Sequence, residues 1–181
     1  PGTQFLVVDP DTNEPLPVGV AGMILIGGCQ VMKGYLKDQA RTDSVIVNIN
    51  GHRYYRTGDK GKLDEDGFLT IVDRYSRFAK LGGEMVSLGA VENKIQDTGV
   101  LKDCDYLVTT VPDATKGEKI VLLYQGEKSP SEVLAGLRVC EFPPIMLPSY
   151  AFAVEKVPKL GSGKADFTTA KKVAKELVAA K

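Results

Sequence analysis

The stretch Asp73-Arg74-Tyr75-Ser76-Arg77 divides this chain into two parts with different sequence patterns. It is charged and polar and lies between two apolar stretches, which is typical of a linker between domains. Before it, short apolar runs are separated by turn signals such as Asn50-Gly51, the dipeptide that most strongly favours a tight hairpin. Many short strands joined by tight turns predict a small β-barrel-like subdomain over residues 1–75.

Helix signals dominate the second part, residues 76–181. Ser87 and Gly99 are placed to begin and end one helix, and Ser129–Glu132 has the capping-box pattern with proline at the first helical position. From Thr168 onward, apolar residues recur along one stripe, as in an amphipathic helix. With about three strands expected between these helices, the sequence predicts a compact α+β domain and a mixed fold class.

The composition argues against several classes of protein. The 23 basic residues balance the 23 acidic ones, so no charge excess points to nucleic acid. No apolar run approaches the roughly 20 residues of a membrane span, so we expect a soluble chain. Cys29, Cys104 and Cys140 lack metal-site spacing and are expected to be buried or half-buried, and no metal site is predicted. His52 is the only histidine and has no evident acidic partner, which disfavours Cys–His catalysis.

Lys164 ends the stretch Gly161-Ser162-Gly163-Lys164, which is similar to the end of a phosphate-binding P-loop. Pro158 stands where that motif requires glycine, and Ala165 stands where it requires serine or threonine, so the P-loop is excluded. What remains is a long cationic side chain on a mobile glycine loop. It either neutralises charge on phosphate or carboxylate oxygens or is an ordinary solvated lysine.

Three further segments have the residue types of a binding site. Asp59 follows a strand in Thr57-Gly58-Asp59 and is either a carboxylate for a sugar diol or an ordinary turn residue. Arg74 is either a contact for a diol or phosphate or a salt-bridged surface residue. Gly82-Gly83 lies in an expected strand-to-helix loop, where it forms either a tight turn or a wall for a thin ligand.

These segments together resemble the motifs of the adenylate-forming acyl ligases, the superfamily of acyl-CoA synthetases, peptide-synthetase adenylation domains and luciferases. Tyr55–Asp59 is similar to its Tyr-Arg-Thr-Gly-Asp motif, Asp73–Glu92 to its Gly-Arg…Gly-Gly-Glu…Glu motif, and Pro158–Lys164 to its closing Gly-Lys motif. Asp73–Ser87 is similar to one branch, the bifunctional 2-acylglycerophosphoethanolamine acyltransferase/acyl-acyl-carrier-protein synthetase. Two departures are Asp73 in place of glycine and Ser76 where many relatives carry Asp or Lys.

The resemblance implies an enzyme that uses ATP and Mg²⁺ to convert a fatty acid to its acyl-adenylate and then transfers the acyl group to a pantetheine thiol. In that branch the thiol belongs to acyl carrier protein, and a separate acyltransferase domain passes the acyl group to a lysophospholipid. The complete protein would act at the cytoplasmic side of the bacterial inner membrane.

The same resemblance implies roles for individual residues. Asp59 and Arg74 would hold the ribose hydroxyls of the nucleotide, and Lys164 would contact carboxylate and α-phosphate oxygens during adenylation. Gly82-Gly83 would line the pantetheine tunnel. Lys80 would act in the second half-reaction. Ser76 would be the hinge for the domain motion between the two half-reactions.

Two motifs of the superfamily are absent from the sequence, the Ser/Thr/Gly-rich phosphate loop and the aromatic-Gly-x-Thr-Glu segment. We therefore expect residues 1–75 to be the β-rich end of a large N-terminal adenylation domain and residues 76–181 to be a mobile C-terminal domain. Alone, the chain is expected to be inactive and to bind no cofactor tightly, with no metal ligands of its own.

Two alternatives stay open. One is a fatty acyl-CoA ligase fragment, in which coenzyme A replaces the carrier protein. The other is a non-catalytic docking module whose basic patch binds an acidic carrier-protein helix. The candidates for that patch are Lys102, Lys116, Lys119 and Arg138.

Overall fold

The computed structural model describes residues 2–115 and 117–181. The chain forms two compact units, one that ends at Ser76 and one that begins at Arg77. Each unit has its own five-stranded sheet. The mixed fold class predicted from the sequence, a β-barrel-like part followed by an α+β part, is confirmed.

The first unit is a curled antiparallel sheet in the order β1-β2-β4-β3, with β5 also paired to β4. Its strands are β1 Gln4–Val8, β2 Gly22–Gly27, β3 Ile46–Ile49, β4 His52–Leu63 and β5 Leu69–Arg74. The 12-residue β4 is long enough to pair with three strands, which curls the sheet around it. Val8, Leu25 and Tyr54 are buried in its core.

The predicted hairpin at Asn50-Gly51 is present between β3 and β4. Both turn residues have positive φ, +51° and +79°, as the type I′ turn requires. A short helix that the sequence analysis did not assign, α1 Gln39–Val45, precedes β3. The carboxylate of Asp38 caps it by accepting the Arg41 N–H at 2.9 Å. Seven residues are too few for helical periodicity to stand out.

The second unit is a mixed sheet in the order β10-β9-β6-β7, with β8 also paired to β9. Its strands are β6 Phe78–Leu81, β7 Glu84–Ser87, β8 Tyr106–Asp113, β9 Gly117–Tyr124 and β10 Tyr150–Ala153. Its helices are α2 Leu88–Thr98, α3 Pro130–Val139 and α4 Phe167–Ala179. β10 runs parallel to β9, and the other pairs are antiparallel.

Residues 120–124 of β9 are buried and lie between two apolar clusters. Leu122 points into the cluster formed with α2 and α3, and Leu123 points into the cluster formed with α4. The caps predicted from the sequence are confirmed. Ser87 Oγ accepts the Ala90 N–H at 3.0 Å, and Ser129 forms the reciprocal capping box at the start of α3.

Five strands, rather than the three expected, form this second sheet. The difference is the β6–β7 hairpin, which the sequence analysis read as a strand-to-helix loop. Phe78-Ala79-Lys80-Leu81 has no clear alternation of apolar and polar residues, so the pattern for a strand was weak. None of the described helices is long and apolar enough to span a membrane.

Candidate nucleotide and acyl-transfer site

Asp59 lies at a bulge in β4. Leu25 of β2 pairs with Arg56 and Met23 pairs with Lys60, so three residues, 57–59, lie opposite one residue of β2. The Thr57 hydroxyl donates to the Ile24 carbonyl at 2.9 Å and accepts the Asp59 N–H at 3.0 Å. Bulges commonly re-aim a side chain next to a functional site, and this one determines where the Asp59 carboxylate points.

Arg74 is the direct cross-strand partner of Asp59 on β5. Its Nε donates to Asp59 Oδ1 at 2.8 Å. The Asp59 side chain is 24% exposed and that of Arg74 is 64% exposed, so the pair lies at the surface. A second register irregularity, next to Lys60 and Gly61, lies directly beside this pair. The result is a carboxylate and a guanidinium side by side, which together offer hydrogen-bond acceptors and donors.

Arg56 belongs to the same motif, but the sequence analysis gave it no role. Its Nη1 donates to Asn13 Oδ1 at 2.5 Å and its Nη2 donates to the Pro10 carbonyl at 2.9 Å. It therefore ties β4 to the turn that starts at Asp9. That turn is formed locally, because the backbone N–H groups of Asp11 and Thr12 both donate to Asp9 Oδ1 at 2.9 Å. These hydrogen bonds lower the pKa of Asp9. No sequence signal links Arg56 to a turn more than 40 residues away.

Lys164 lies at the end of a hydrogen-bonded tight turn, and the mobility expected of this glycine loop stays a prediction. The Gly163 N–H donates to the Leu160 carbonyl at 2.8 Å, and the Leu160 N–H donates to the Lys164 carbonyl at 2.7 Å. Gly163 has a φ of +82°, and Lys159 and Ala165 form a β-bridge beyond it. This is the three-residue hairpin loop with a bulged glycine. The Lys164 side chain is exposed.

Gly82-Gly83 forms the tip of the β6–β7 hairpin rather than a strand-to-helix loop. Their φ values are +60° and +99°, and an added Cβ on either would meet no atom within 4 Å. The glycines are thus required by the turn and leave open space beside it. Lys80 lies on β6 with an exposed side chain, and its backbone N–H donates to Glu118 Oε2 at 2.9 Å.

Ser76 lies exposed in the 3-10 turn Tyr75–Arg77. Within the second unit, Arg77 forms an ion pair in which its Nη2 lies 2.6 Å from Glu92 Oε2, and its guanidinium lies 4.3 Å from the Phe167 ring centroid. Glu92 Oε1 also accepts the Val108 N–H at 3.0 Å. The residue after Ser76 is therefore anchored to α2 and to the start of α4.

The basic residues proposed for a docking patch do not share one environment. Lys119 pairs with Asp113 at 2.6 Å, and that hydrogen bond raises the pKa of Lys119. Lys102 and Arg138 are exposed. Lys116 lies outside the described residues.

The prediction of buried or half-buried thiols holds for Cys104, which is half-buried, but is wrong for Cys29 and Cys140, which are exposed. Among the described residues, no cluster of three or more His, Cys, Asp or Glu side chains could hold a metal ion. The Mg²⁺ implied by the resemblance therefore has no such cluster of ligands among these residues.

The structure thus brings Asp59 and Arg74 into direct contact, and it places Lys80 and Gly82-Gly83 on one hairpin. Lys164 lies on a separate turn of the second unit, closed by its own backbone hydrogen bonds. Glu118, which holds the hairpin strand at Lys80, was missed because nothing in the local sequence distinguishes it from any other strand glutamate.

Comparison with known proteins finds relatives over most of the chain. Nonribosomal peptide synthetase 7 of Aspergillus fumigatus is 31% identical in an alignment of 182 positions that covers 92% of this chain and 8% of that protein. The D-alanine–D-alanyl carrier protein ligase of Listeria monocytogenes is 33% identical over 123 residues, covering 68% of this chain and 23% of that protein. No protein-family model matches the chain.

Among solved structures, ATP-bound MatB from Rhodopseudomonas palustris matches with a TM-score of 0.81 and 27% identity. The match covers 98% of this chain and 35% of MatB. The chain therefore spans about a third or less of the length of these proteins. Sequence identity and shared fold together show that this chain corresponds to the C-terminal domain region of adenylate-forming enzymes, the group that contains these relatives.

Proposed function

We propose that this chain is the C-terminal part of an ATP-dependent ligase that activates a carboxylic acid and transfers the acyl group to a thiol. In the first half-reaction, a carboxylate oxygen attacks the α-phosphorus of ATP, and the acyl-adenylate forms as pyrophosphate leaves. In the second, the sulfur of a thiol attacks the acyl carbonyl, and the thioester forms as AMP leaves and the thiol proton passes to solvent. The observation that carries the proposal is the 2.8 Å contact between Asp59 and Arg74, because it joins residues from two separate motifs.

In this proposal Asp59 and Arg74 hold the ribose of the nucleotide. Asp59 Oδ1 is already bonded to Arg74 Nε, which leaves the second carboxylate oxygen to accept from a sugar hydroxyl. The guanidinium supplies donors to the other hydroxyl. Charge-assisted hydrogen bonds of this kind are about twice as strong as neutral ones.

Lys164 would act in the adenylation step. Its ammonium group is exposed at the end of a hydrogen-bonded turn, so its backbone position is defined while its side chain is free to reach outward. A cation placed at oxygens where negative charge develops stabilises the transition state more than the ground state.

The β6–β7 hairpin would act in thioester formation. The open space beside Gly82-Gly83 is suited to a thin ligand such as the pantetheine arm, and Lys80 lies two residues before it. Ser76 would be the hinge that carries the second unit between the two half-reactions.

The finer assignment is an acyl-acyl-carrier-protein synthetase coupled to lysophospholipid reacylation, acting at the cytoplasmic side of the inner membrane. It is supported by the similarity of Asp73–Ser87 to that branch. A carrier protein as acceptor is also supported by the name of the D-alanyl carrier protein ligase relative. A fatty acid is proposed as the substrate, with coenzyme A as the alternative acceptor.

The proposal also assigns the two parts of the chain. Residues 1–75 would complete a large N-terminal adenylation domain, and residues 76–181 would be the mobile C-terminal domain. The chain alone would then lack most of the nucleotide and acyl site. We expect isothermal titration of the chain to show no micromolar ATP binding, and we expect no pyrophosphate release with fatty acid. Either signal would contradict this assignment.

The central test uses the complete polypeptide that contains this chain. Pyrophosphate release that depends on a fatty acid reports adenylation, and transfer from preformed acyl-adenylate to holo-carrier protein or to coenzyme A reports the second half-reaction. Lys164→Ala should lower adenylation at least a hundredfold and leave the second half-reaction nearly unchanged. Lys172→Ala, an exposed lysine on α4, is the matched control and should change neither. Equal losses in both half-reactions of Lys164→Ala would refute the role of Lys164.

A second candidate function is a non-catalytic docking module for a carrier protein. It is favoured by the exposure of Lys102 and Arg138 on the second unit. Charge reversal at these two residues should then weaken transfer to the carrier protein but leave adenylation and transfer to coenzyme A unchanged. Unchanged transfer to the carrier protein would exclude this surface.

A further inference from the structure

We propose that Glu118 is a positioning residue for the thioester half-reaction, because it holds the Gly82-Gly83 hairpin at the backbone of Lys80. The inference rests on the proposed function for its catalytic consequence. The contact that carries it is independent of that function, since it is a feature of the fold.

The hairpin has little backbone pairing with the rest of its sheet, although its Ala79 and Val86 side chains are buried in the apolar core. Its described pairing with β9 consists of Leu81 opposite Gly117. Glu118, the next residue of β9, adds the hydrogen bond in which Oε2 accepts the Lys80 N–H at 2.9 Å. The side chain of a sheet residue thus takes over where backbone pairing ends. The tip of the hairpin, Gly82-Gly83, begins two residues after Lys80.

The carboxylate of Glu118 is held by donors from two other elements. Its Oε1 accepts from the Thr110 hydroxyl of β8 at 2.7 Å, and Lys171 Nζ of α4 lies 3.5 Å from the same oxygen. The Glu118 side chain is 23% exposed. Donors on β8 and α4 therefore define the position of this carboxylate, which in turn accepts the backbone N–H of Lys80.

These contacts keep Glu118 ionised. Burial raises the pKa of Glu118. This effect is outweighed by three groups that lower the pKa, namely the Lys80 backbone N–H, the Thr110 hydroxyl and the Lys171 ammonium, so the pKa lies below the ordinary glutamate value. A hydrogen bond to a charged acceptor is stronger than one to a neutral acceptor. The hairpin strand is therefore held by the stronger kind of hydrogen bond next to the point where its backbone pairing with β9 ends.

The first test measures this contact in the chain itself. Glu118→Ala should raise the hydrogen-exchange rate of the Lys80 amide about tenfold or more, because it removes a hydrogen bond to a charged group. Glu118→Gln keeps an acceptor oxygen and should cause a smaller increase. Glu127→Ala, an exposed glutamate of the same unit, is the matched control and should leave the rate unchanged. Exchange of the buried amides of β9 shows whether the fold is intact, and Glu118→Gln carries the test if the alanine variant does not fold.

The second test measures the two half-reactions in the complete polypeptide. Glu118→Ala should lower thioester formation from preformed acyl-adenylate about tenfold and change adenylation less than about twofold. Glu118→Gln should form the thioester at a rate close to that of the wild type, because glutamine keeps an acceptor oxygen for the Lys80 N–H. If the negative charge of Glu118 were what mattered, Glu118→Gln would be as slow as Glu118→Ala. Parallel losses in both half-reactions would show a merely structural residue and overturn the inference.

The two tests separate the possible failures. If the wild-type polypeptide forms no acyl-adenylate and no thioester, the proposed function fails, and the catalytic role of Glu118 fails with it. If the wild type is active but the Lys80 amide exchanges at the same rate in Glu118→Ala, only the positioning role is overturned.

Discussion

Replacing Gly163 by alanine tests whether the segment before Lys164 is the hydrogen-bonded turn seen in the structure. Gly163 has a φ of +82°, and an added Cβ would meet no heavy atom within 4 Å. The substitution therefore adds backbone strain without a steric clash. Gly161 is the matched control, because its Cβ would also meet no atom within 4 Å and its φ is not in the positive range.

The expected magnitude follows from two effects. Alanine in the left-handed region costs about 1–2 kcal/mol. Alanine also has fewer backbone conformations than glycine in the unfolded chain, and this lower entropy of the unfolded state stabilises the folded chain by about 0.4–1 kcal/mol. The second effect is common to both variants and cancels when they are compared with each other. Gly161→Ala should therefore have a free energy of unfolding about 1–2 kcal/mol larger than that of Gly163→Ala.

Urea unfolding of the 181-residue chain measures this difference. Amide NMR signals from residues after Arg77 should be used, so that the transition of the second unit is followed. With a denaturant dependence of about 2 kcal/mol per molar urea, the two midpoints should differ by about 0.5–1 M. Midpoints that coincide would refute the turn geometry, because Gly163 would then carry no conformational demand that alanine cannot meet.

Three further predictions concern other parts of the chain. Leu122→Ala should lower the free energy of unfolding of the second unit by about 2–5 kcal/mol, because Leu122 of β9 is fully buried. A urea midpoint near that of the wild type would contradict the burial of Leu122. Arg74→Ala should change the free energy of unfolding by less than about 1 kcal/mol, since the Arg74 side chain is 64% exposed. The same substitution should weaken nucleotide binding by the complete polypeptide, and an unchanged affinity in a titration would show that Arg74 does not contact the nucleotide. Glu118 has a folded-state pKa below its unfolded value, so its contribution to stability is present above the unfolded pKa and is lost as the pH falls through the folded pKa. The urea midpoints of wild type and Glu118→Gln should therefore converge as the pH falls from neutral to below the ordinary glutamate pKa, and a constant gap would contradict this.

Several features of the fold could be predicted because they are set by neighbouring residues. The capping box at Ser129 satisfies orphan backbone groups within one turn of helix. Gly99 ends α2 with a φ of +67°, a conformation that glycine adopts without cost. Asn50-Gly51 forms a hairpin turn because both residues readily adopt the positive φ that the turn requires.

Other features were missed because local patterns do not specify them. Phe78–Leu81 becomes a strand because it pairs with β7 and meets β9, and its own sequence has no clear alternation. Cys29 and Cys140 are exposed, although cysteine is among the residues most often buried. The glycine motif before Lys164 did not reveal the turn that two backbone hydrogen bonds, Gly163 N–H to the Leu160 carbonyl and Leu160 N–H to the Lys164 carbonyl, close there.

The sequence by itself determined the helix caps at Ser87 and Ser129 and the tight turn at Asn50-Gly51, because each depends on backbone preferences within a few residues. Tertiary structure alone decided that Asp59 contacts Arg74, 15 residues away, and that Glu118 holds Lys80, 38 residues away. These contacts depend on strand register and on the bulge at residues 57–59, and a shift of one residue would turn the side chains to the opposite face of the sheet.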